Sequence, residues 1–130
     1  MKILVLAFFV PLLFGCASPA NQEFPSIQYL LKNAETLDGE VVTTQGVLVM
    51  EFEDINLYSS KKEAREQINR DTECISLVTT REDYDKWHSK SRKNVVITGR
   101  INADFCSPDH FCPSSCNNVA LEKISIQLVE

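Results

Sequence analysis

Four residues near the C-terminus have side chains that could act together in chemistry: Cys106, His110, Cys112 and Cys116. Three thiolates and one imidazole make up a tetrahedral ligand set that zinc accepts. The spacing lacks the paired C-x2-C units typical of zinc sites, and a metal in this loop would leave Cys74 as a free thiol. No C-x-x-C motif supports a reactive thiol pair. A small metal-linked or redox-linked protein that acts through this loop is nevertheless one interpretation of these residues, and we keep it as the alternative.

The N-terminus has the pattern of a secretory signal peptide. Lys2 supplies one positive charge, and an uninterrupted apolar run follows over residues 3–14. This run is shorter than the roughly 20 residues that a membrane-spanning helix needs. We therefore expect residues 1–15 to direct export and to be cleaved off.

The end of that run, Leu13-Phe14-Gly15-Cys16, resembles the lipobox of bacterial lipoproteins. The resemblance implies cleavage before Cys16 and a lipid-modified sulfur, so that acyl chains such as palmitate anchor the protein in a membrane. Because Ala17 rather than Asp follows, the resemblance also implies the outer membrane of a bacterial cell envelope, facing the periplasm. A plain secretory peptide with an incidental cysteine is the alternative. Residues 16–25 would form the lipidated cysteine and a polar tether.

The remaining chain has a length typical of one domain, which we place at residues 26–130. Loss of residues 1–15 removes Lys2 and no acidic residue, so the formal charge changes from −5 to −6. A protein of this charge repels phosphate backbones, and nucleic acid is therefore not an expected partner. The expected partners are the membrane, through the anchor, and an envelope protein or glycan.

Export changes the interpretation of the cysteines. Once Cys16 is assigned to lipid, Cys74, Cys106, Cys112 and Cys116 form an even set in an oxidising compartment, which predicts two disulfides. Four cysteines allow three connectivities. We expect one bridge within the crowded segment from Cys106 to Cys116, and we expect Cys74 to pair with the remaining member and to hold that loop against a strand.

Five β-rich segments and three helical segments follow the tether. Ser26 stands in the N-cap position of a helix over residues 27–34, and helix formers also occur over residues 61–69 and 82–90. Alternating apolar residues predict strands over residues 41–52, 55–59, 74–79, 94–103 and 119–129. The last strand would carry Ile124, Ile126 and Leu128 on one face. Gly46 marks a bend or bulge in the long first strand.

The segments Leu37-Asp38-Gly39-Glu40-Val41-Val42-Thr43-Thr44-Gln45-Gly46 and Asn94-Val95-Val96-Ile97-Thr98-Gly99-Arg100-Ile101 share a pattern of polar turn, β-branched pair and glycine. This pattern resembles the first and fourth strands of an OB-fold. The predicted class is all-β with short helices, a small five-stranded OB-like barrel stabilised by disulfides. OB-folds bind oligonucleotides, sugars or proteins on one face and its loops, so the resemblance implies a binding protein.

Candidate binding residues are Tyr58, Trp87 and Arg100, two aromatic side chains that could stack on a ligand and one cation. Core packing is the competing role for these aromatic residues, and for Phe52 and Tyr84, because small barrels need large side chains to fill their ends. The acidic clusters at residues 51–54 and 82–85 are interpreted as solvated edges. No arrangement of nucleophile and base is present. The sequence therefore predicts a binding or scaffolding module with no catalytic residues and no cofactor.

Overall fold

The computed structural model describes residues 23–66, 73–106 and 116–130. Its elements in chain order are α1 (Ile27–Lys32), α2 (Ala34–Leu37), β1 (Val41–Glu51), β2 (Asp54–Tyr58), α3 (Lys61–Arg65), β3 (Cys74–Val78), α4 (Arg81–Trp87), a 3-10 turn (His88–Lys90), β4 (Asn94–Asn102) and β5 (Ala120–Leu128). The predicted class, mostly β with short helices, is confirmed. None of the helices described is long and apolar enough to cross a bilayer. The predicted signal peptide, Cys16 and the first part of the tether lie outside the described residues.

The five strands close into a ring in the order β1-β2-β3-β5-β4. Four of the pairs are antiparallel, and β3 runs parallel to β5. β1 pairs with β4 through its first half and with β2 through its second half, and Val47 has a partner on each side, Asn94 and Tyr58. The long first strand is therefore the element that joins the two halves of the ring.

Gly46 lies next to the point where β1 changes partners. A Cβ atom at this position would stand 2.6 Å from the carbonyl oxygen of Tyr58 and 2.8 Å from Cγ of Leu57. Since real Cβ atoms do not approach backbone oxygens so closely, only glycine lets β2 come this near to β1. The register of β1 with β4 runs through Gly46 without a bulge, so the predicted bulge is absent there and the glycine serves the close packing of β1 and β2 instead.

Side chains from all five strands and from three helices fill the interior. The members of this inner cluster are Leu48, Met50, Leu57, Ile75, Leu77, Val95, Ile97, Ile101 and Leu121 from the strands, and Ile27, Leu30, Ala34 and Trp87 from the helices. Burying one such large side chain contributes about 1.5–3 kcal/mol. The ring is therefore held from within by its own side chains, with two apolar residues added by α1 and one each by α2 and α4.

A second, smaller cluster covers the other face of β1. Val47 and Val49 alternate with the inner residues and pack with Tyr58, Cys74 and Ala64 of α3. The sequence pattern predicts this helical segment as a surface element with only a local contribution, but Ala64 is buried. Residues 47–50 of β1 are consequently buried on both faces, which explains why this half of the strand is apolar without interruption.

Cys74, at the start of β3, forms a disulfide with Cys116, and the two Cα atoms are 6.1 Å apart. The expected link between Cys74 and a cysteine of the loop is confirmed. Cys106 is also disulfide-bonded. Cys112 lies outside the described part of the chain.

β5 contains an irregularity that the alternation of its residues does not reveal. Thr98 is opposite Ser125 whereas Gly99 is opposite Lys123, so Ile124 has no partner in the ladder with β4. This bulge leaves Ile124 53% exposed, and the prediction that it shares a face with Ile126 is wrong. Lys123 lies on the face of the buried Leu121 through ordinary alternation, and the bulge at Ile124 then brings Ile126 onto that same face.

Candidate functional site

A cleft of ≈ 420 Å³ separates the turn between β1 and β2 from the beginning of α4. Its volume is within the range of small-ligand sites. The residues that line it combine aromatic, aliphatic, hydroxyl and charged side chains: Glu51, Phe52, Glu53, Ile55, Thr79, Thr80, Arg81 and Tyr84. The cleft therefore offers an apolar floor with polar groups around it.

The first wall of the cleft is the tight turn from β1 to β2. Glu51 pairs with Asp54 across the hairpin, so that Phe52 and Glu53 form a two-residue connection. Phe52 is 84% exposed. Glu53 has a φ angle of 59°, a left-handed conformation that glycine or asparagine adopts more easily than glutamate. The turn thus presents an aromatic ring and a carboxylate to solvent on a strained backbone.

The second wall is the first turn of α4. The Thr80 hydroxyl accepts from the backbone N–H of Asp83, and the Asp83 carboxylate accepts from the N–H of Thr80, which completes a capping box. Asp83 also accepts from the ammonium group of Lys123 at 2.7 Å. Because these contacts fix the start of the helix, they also fix the positions of Thr80 and Arg81 beside the cleft.

Tyr84 and Ile55 form the floor of the cleft. Both are half-buried and pack against the inner cluster. The Tyr84 ring is stacked on that of His88, with the ring centroids 5.4 Å apart. Arg81, at the rim, forms an ion pair with Asp85 at 3.3 Å. The floor is therefore held rigidly by the core, whereas the rim is exposed to solvent.

The three carboxylates of the hairpin differ in their hydrogen-bond and ion-pair partners. Glu51 accepts from Arg92 through both carboxylate oxygens, at 3.0 and 3.3 Å. Asp54 accepts from the Asn56 amide at 2.5 Å and from the Tyr58 hydroxyl at 3.2 Å. Within the described residues, Glu53 forms no hydrogen bond or ion pair through its carboxylate. Glu53 is therefore the acidic group of the turn that is available to a ligand.

The half-buried Asp54 and the buried Tyr58 form a hydrogen-bonded pair behind the turn. Burial raises the pKa of Asp54 above its ordinary value, and the Glu51 carboxylate adds to this, while hydrogen bonds from Asn56 and Tyr58 oppose it. Burial and the neighbouring Asp54 carboxylate raise the pKa of Tyr58 to about 12. The phenol thus stays protonated at all ordinary pH values and continues to donate to Asp54.

The structure does not bring the three predicted binding residues together. Tyr58 is 3% exposed in the cluster under α3, and Trp87 is 5% exposed in the inner cluster. The ammonium groups of Lys86 and Lys90 lie 5.6 and 5.0 Å from the centre of the Trp87 ring. Arg100 is exposed and donates to the carbonyl oxygen of Gly39 at 2.7 Å. None of the three lines the cleft, and the two aromatic side chains take the packing role.

The cysteine loop is described only at its ends. A zinc site would need Cys106 and Cys116 as free thiolates, and both are disulfide-bonded, Cys116 to Cys74. His110 and Cys112, the other two residues of that ligand set, lie outside the described residues. Across residues 23–66, 73–106 and 116–130, no three His, Cys, Asp or Glu side chains are grouped as metal ligands.

Phe52 is the residue of the cleft that sequence reasoning undervalued. It resembles a strand residue because it follows a long apolar strand, and packing inside a barrel was the expected role. The signal that could have identified it is its position between Glu51 and Glu53-Asp54, since an apolar residue among acids at the end of a strand is typical of a turn.

The residues of the cleft suit reversible binding. Aromatic and aliphatic surface supplies contact area, and hydroxyl, carboxylate and guanidinium groups supply orientation. Neither a cysteine nor a histidine lines the cleft. Comparison of the chain with models of protein families, with curated proteins and with solved structures gave no match.

Proposed function

We propose that this chain is a lipid-anchored binding or scaffolding module of the bacterial cell envelope, without catalytic activity, which holds a protein, peptide or glycan in the cleft between the β1–β2 turn and α4. The observation that carries the proposal is the cleft itself, with Phe52 84% exposed beside it. Exposed aromatic side chains next to a preformed depression are typical of binding sites.

The fold that fits this role is an OB-like barrel. A closed order of β1-β2-β3-β5-β4, with a helix between β3 and β4, supports this assignment. OB-folds bind ligands through the face of their second and third strands and through the loop between the first two strands. The Phe52 turn is the loop between β1 and β2, so the cleft borders the surface that OB-folds use.

The proposed location of the protein is based on the sequence of its N-terminus. The proposal includes a signal peptide over residues 1–15, a diacylglycerol on Cys16 and attachment to the outer membrane, facing the periplasm. A second disulfide, from Cys106 to Cys112, belongs to the same proposal, because an oxidising compartment favours pairing of all four domain cysteines. Support comes from the lipobox resemblance and from the Cys74–Cys116 bridge.

The anchor is tested by labelling cells that express the full chain with radioactive palmitate. We expect label in the wild-type protein, recovered with the membrane fraction, and none in a Cys16→Ser variant. An unlabelled precursor that stays in the cytosolic fraction would contradict both export and lipidation.

The binding role is tested by passing envelope extract over the immobilised acylated protein. We expect Phe52→Ser to release most of the retained protein or glycan, because the variant removes the aromatic surface at the cleft. Ile124→Ser is the matched control, since Ile124 is also exposed but lies on β5, outside the cleft. Equal retention by both variants would rule out the cleft as the binding surface.

A further inference from the structure

We propose that the cleft recognises a lysine or arginine side chain of a partner peptide, with the cation held between the Phe52 ring and the Glu53 carboxylate. This inference rests on the proposed binding function and specifies its ligand. Its starting point is the β1–β2 turn, where the most exposed large apolar side chain of the described residues stands next to an acid.

Glu53 is the group that gives the site its preference for a cation. Arg92 already neutralises Glu51, and Asp54 is engaged by Asn56 and Tyr58. Glu53 has no such partner in the described part of the chain. A carboxylate held at the rim of a cleft without a counter-ion attracts an ammonium or guanidinium group.

Phe52 adds a second attraction for the same charge. A cation within about 6 Å of the centre of an aromatic ring is attracted by the negative face of that ring. Phe52 and Glu53 are adjacent in a two-residue turn, and both line the same side of the cleft. The pair therefore favours a basic side chain over a neutral polar one.

The floor of the cleft fits the rest of such a side chain. Ile55 and Tyr84 provide half-buried apolar surface between the two walls. Lysine and arginine have long aliphatic stems that pack on apolar surface while the charged end stays at the rim. Arg81 on the opposite wall is paired with Asp85 at 3.3 Å, so its charge is partly offset.

The charge of the turn argues against three other occupants. The Glu53 carboxylate, which has no counter-ion in the described residues, and Asp54 beside it repel anionic lipid headgroups and nucleic acid. A symmetric contact with a second copy would place two Glu53 carboxylates near each other, which costs affinity. The formal charge of −6 for residues 16–130 also steers basic partners towards the protein. Among the ligands of the proposed function, a basic segment of another envelope protein is the one that an unpaired carboxylate favours over a neutral glycan.

The test uses the acylated protein in detergent micelles and two acetylated, amidated peptides, Gly-Leu-Lys-Leu-Gly and Gly-Leu-Gln-Leu-Gly, followed by NMR titration. We expect the lysine peptide to shift the amide resonances of residues 52–55 and 79–84, and the glutamine peptide to bind at least about 3-fold more weakly, as for an exposed ion pair. High salt should reduce this difference.

Single substitutions distinguish the contribution of the Glu53 carboxylate from that of the Phe52 ring. Glu53→Gln should weaken lysine-peptide binding by about 3-fold, and Phe52→Ser by about 5-fold through loss of the ring. Glu40→Gln, which removes one exposed charge away from the cleft, and Ile124→Ser should leave the affinity unchanged. Thermal unfolding of each variant checks that the fold is retained.

Equal binding of the two peptides, or an unchanged affinity in Glu53→Gln, would overturn the inference. A cell-wall tetrasaccharide that shifts the cleft resonances when the lysine peptide does not would also overturn it, while the proposed binding function would stand. If neither peptide nor saccharide shifts these resonances and Phe52→Ser leaves envelope capture intact, the proposed function fails as well.

Discussion

Asp83 stabilises the start of α4 through contacts with both its own helix and β5. Burial by itself raises the pKa of this carboxyl, but hydrogen bonds from Lys123 and from the backbone and hydroxyl of Thr80 outweigh burial and lower the pKa below the ordinary 3.8. A lowered pKa means that the folded state favours the ionised form. This contribution to stability is present above pH 3.8 and is lost as the pH falls through the lowered pKa.

Removing the partner of Asp83 should therefore destabilise the protein. We expect Lys123→Met to lower the free energy of unfolding at neutral pH by about 2 kcal/mol, since a largely buried carboxylate loses its charged donor. Urea unfolding measures the change. Lys93→Met, at an exposed lysine, is the control. The difference from wild type should shrink below pH 3.8 as Asp83 becomes protonated, and a constant difference would mean that the ion pair is not its cause.

Glu53 has a backbone conformation that costs free energy. A residue other than glycine in the left-handed conformation destabilises the folded state by about 1–2 kcal/mol. Glycine removes this penalty, but part of the gain is offset because glycine is more flexible in the unfolded chain. We expect Glu53→Gly to raise the free energy of unfolding by about 0.5 kcal/mol while weakening binding of the lysine peptide. Glu53→Gln should weaken binding without a gain in stability, because it keeps the side chain that causes the strain. A loss of stability in Glu53→Gly would show that the φ angle is not costly.

At the scale of elements, β1 depends on one close contact with β2. We expect Gly46→Ala to lower the free energy of unfolding by about 3 kcal/mol, because the added methyl group meets the Tyr58 carbonyl at 2.6 Å and a backbone cannot easily give way. Gly39→Ala is the matched control. It has open space but a φ angle of 79°, so it should cost only about 1 kcal/mol. Equal losses would contradict the steric explanation.

Most elements were predictable because their residues follow simple periods. β4 alternates between buried and more exposed residues, and Ser26 caps α1 as predicted, by accepting from the Tyr29 N–H at 3.1 Å. Two features have no local signal. Asn33 ends α1 early through its own hydrogen bond to the Tyr29 carbonyl, and the bulge at Ile124 appears only when β5 is aligned with β4. Both features depend on specific hydrogen bonds and strand pairings, and the spacing of apolar residues does not predict these.

The candidate site was less predictable than the fold. Tyr58 and Trp87 are large residues whose burial depends on which faces of the strands and helices meet, and the structure buries both. Phe52 is exposed because the two-residue turn falls on it, and a shift of one residue in the hairpin register would change that. Which residues line the site therefore depends on the strand register and on the position of the turn. Both are determined by the pairing of all five strands and not by a local sequence pattern.

At the scale of the whole molecule, the Cys74–Cys116 disulfide links positions 42 residues apart. Closing a loop of this length contributes about 4 kcal/mol by the chain-entropy estimate. We expect the double variant Cys74→Ser/Cys116→Ser to lose about that much free energy of unfolding, as measured with urea. The same variant in reducing buffer, compared with the reduced wild type, is the control, because the two should then be equally stable. A double variant as stable as the oxidised wild type would show that the bridge does not stabilise the domain.

The position of this disulfide also has a consequence for the speed of folding. The only parallel strand pair of the ring begins at Ser76 and Ala120, close to the two bridged cysteines. Pairing of segments so distant in sequence is slow, since the chain must search many conformations before any contact forms. When the disulfide is present, the segments that form β3 and β5 are already close together in the unfolded chain. Refolding from denaturant should thus be markedly faster with the bridge intact than after its reduction, so that formation of this bridge would set the pace at which the chain matures.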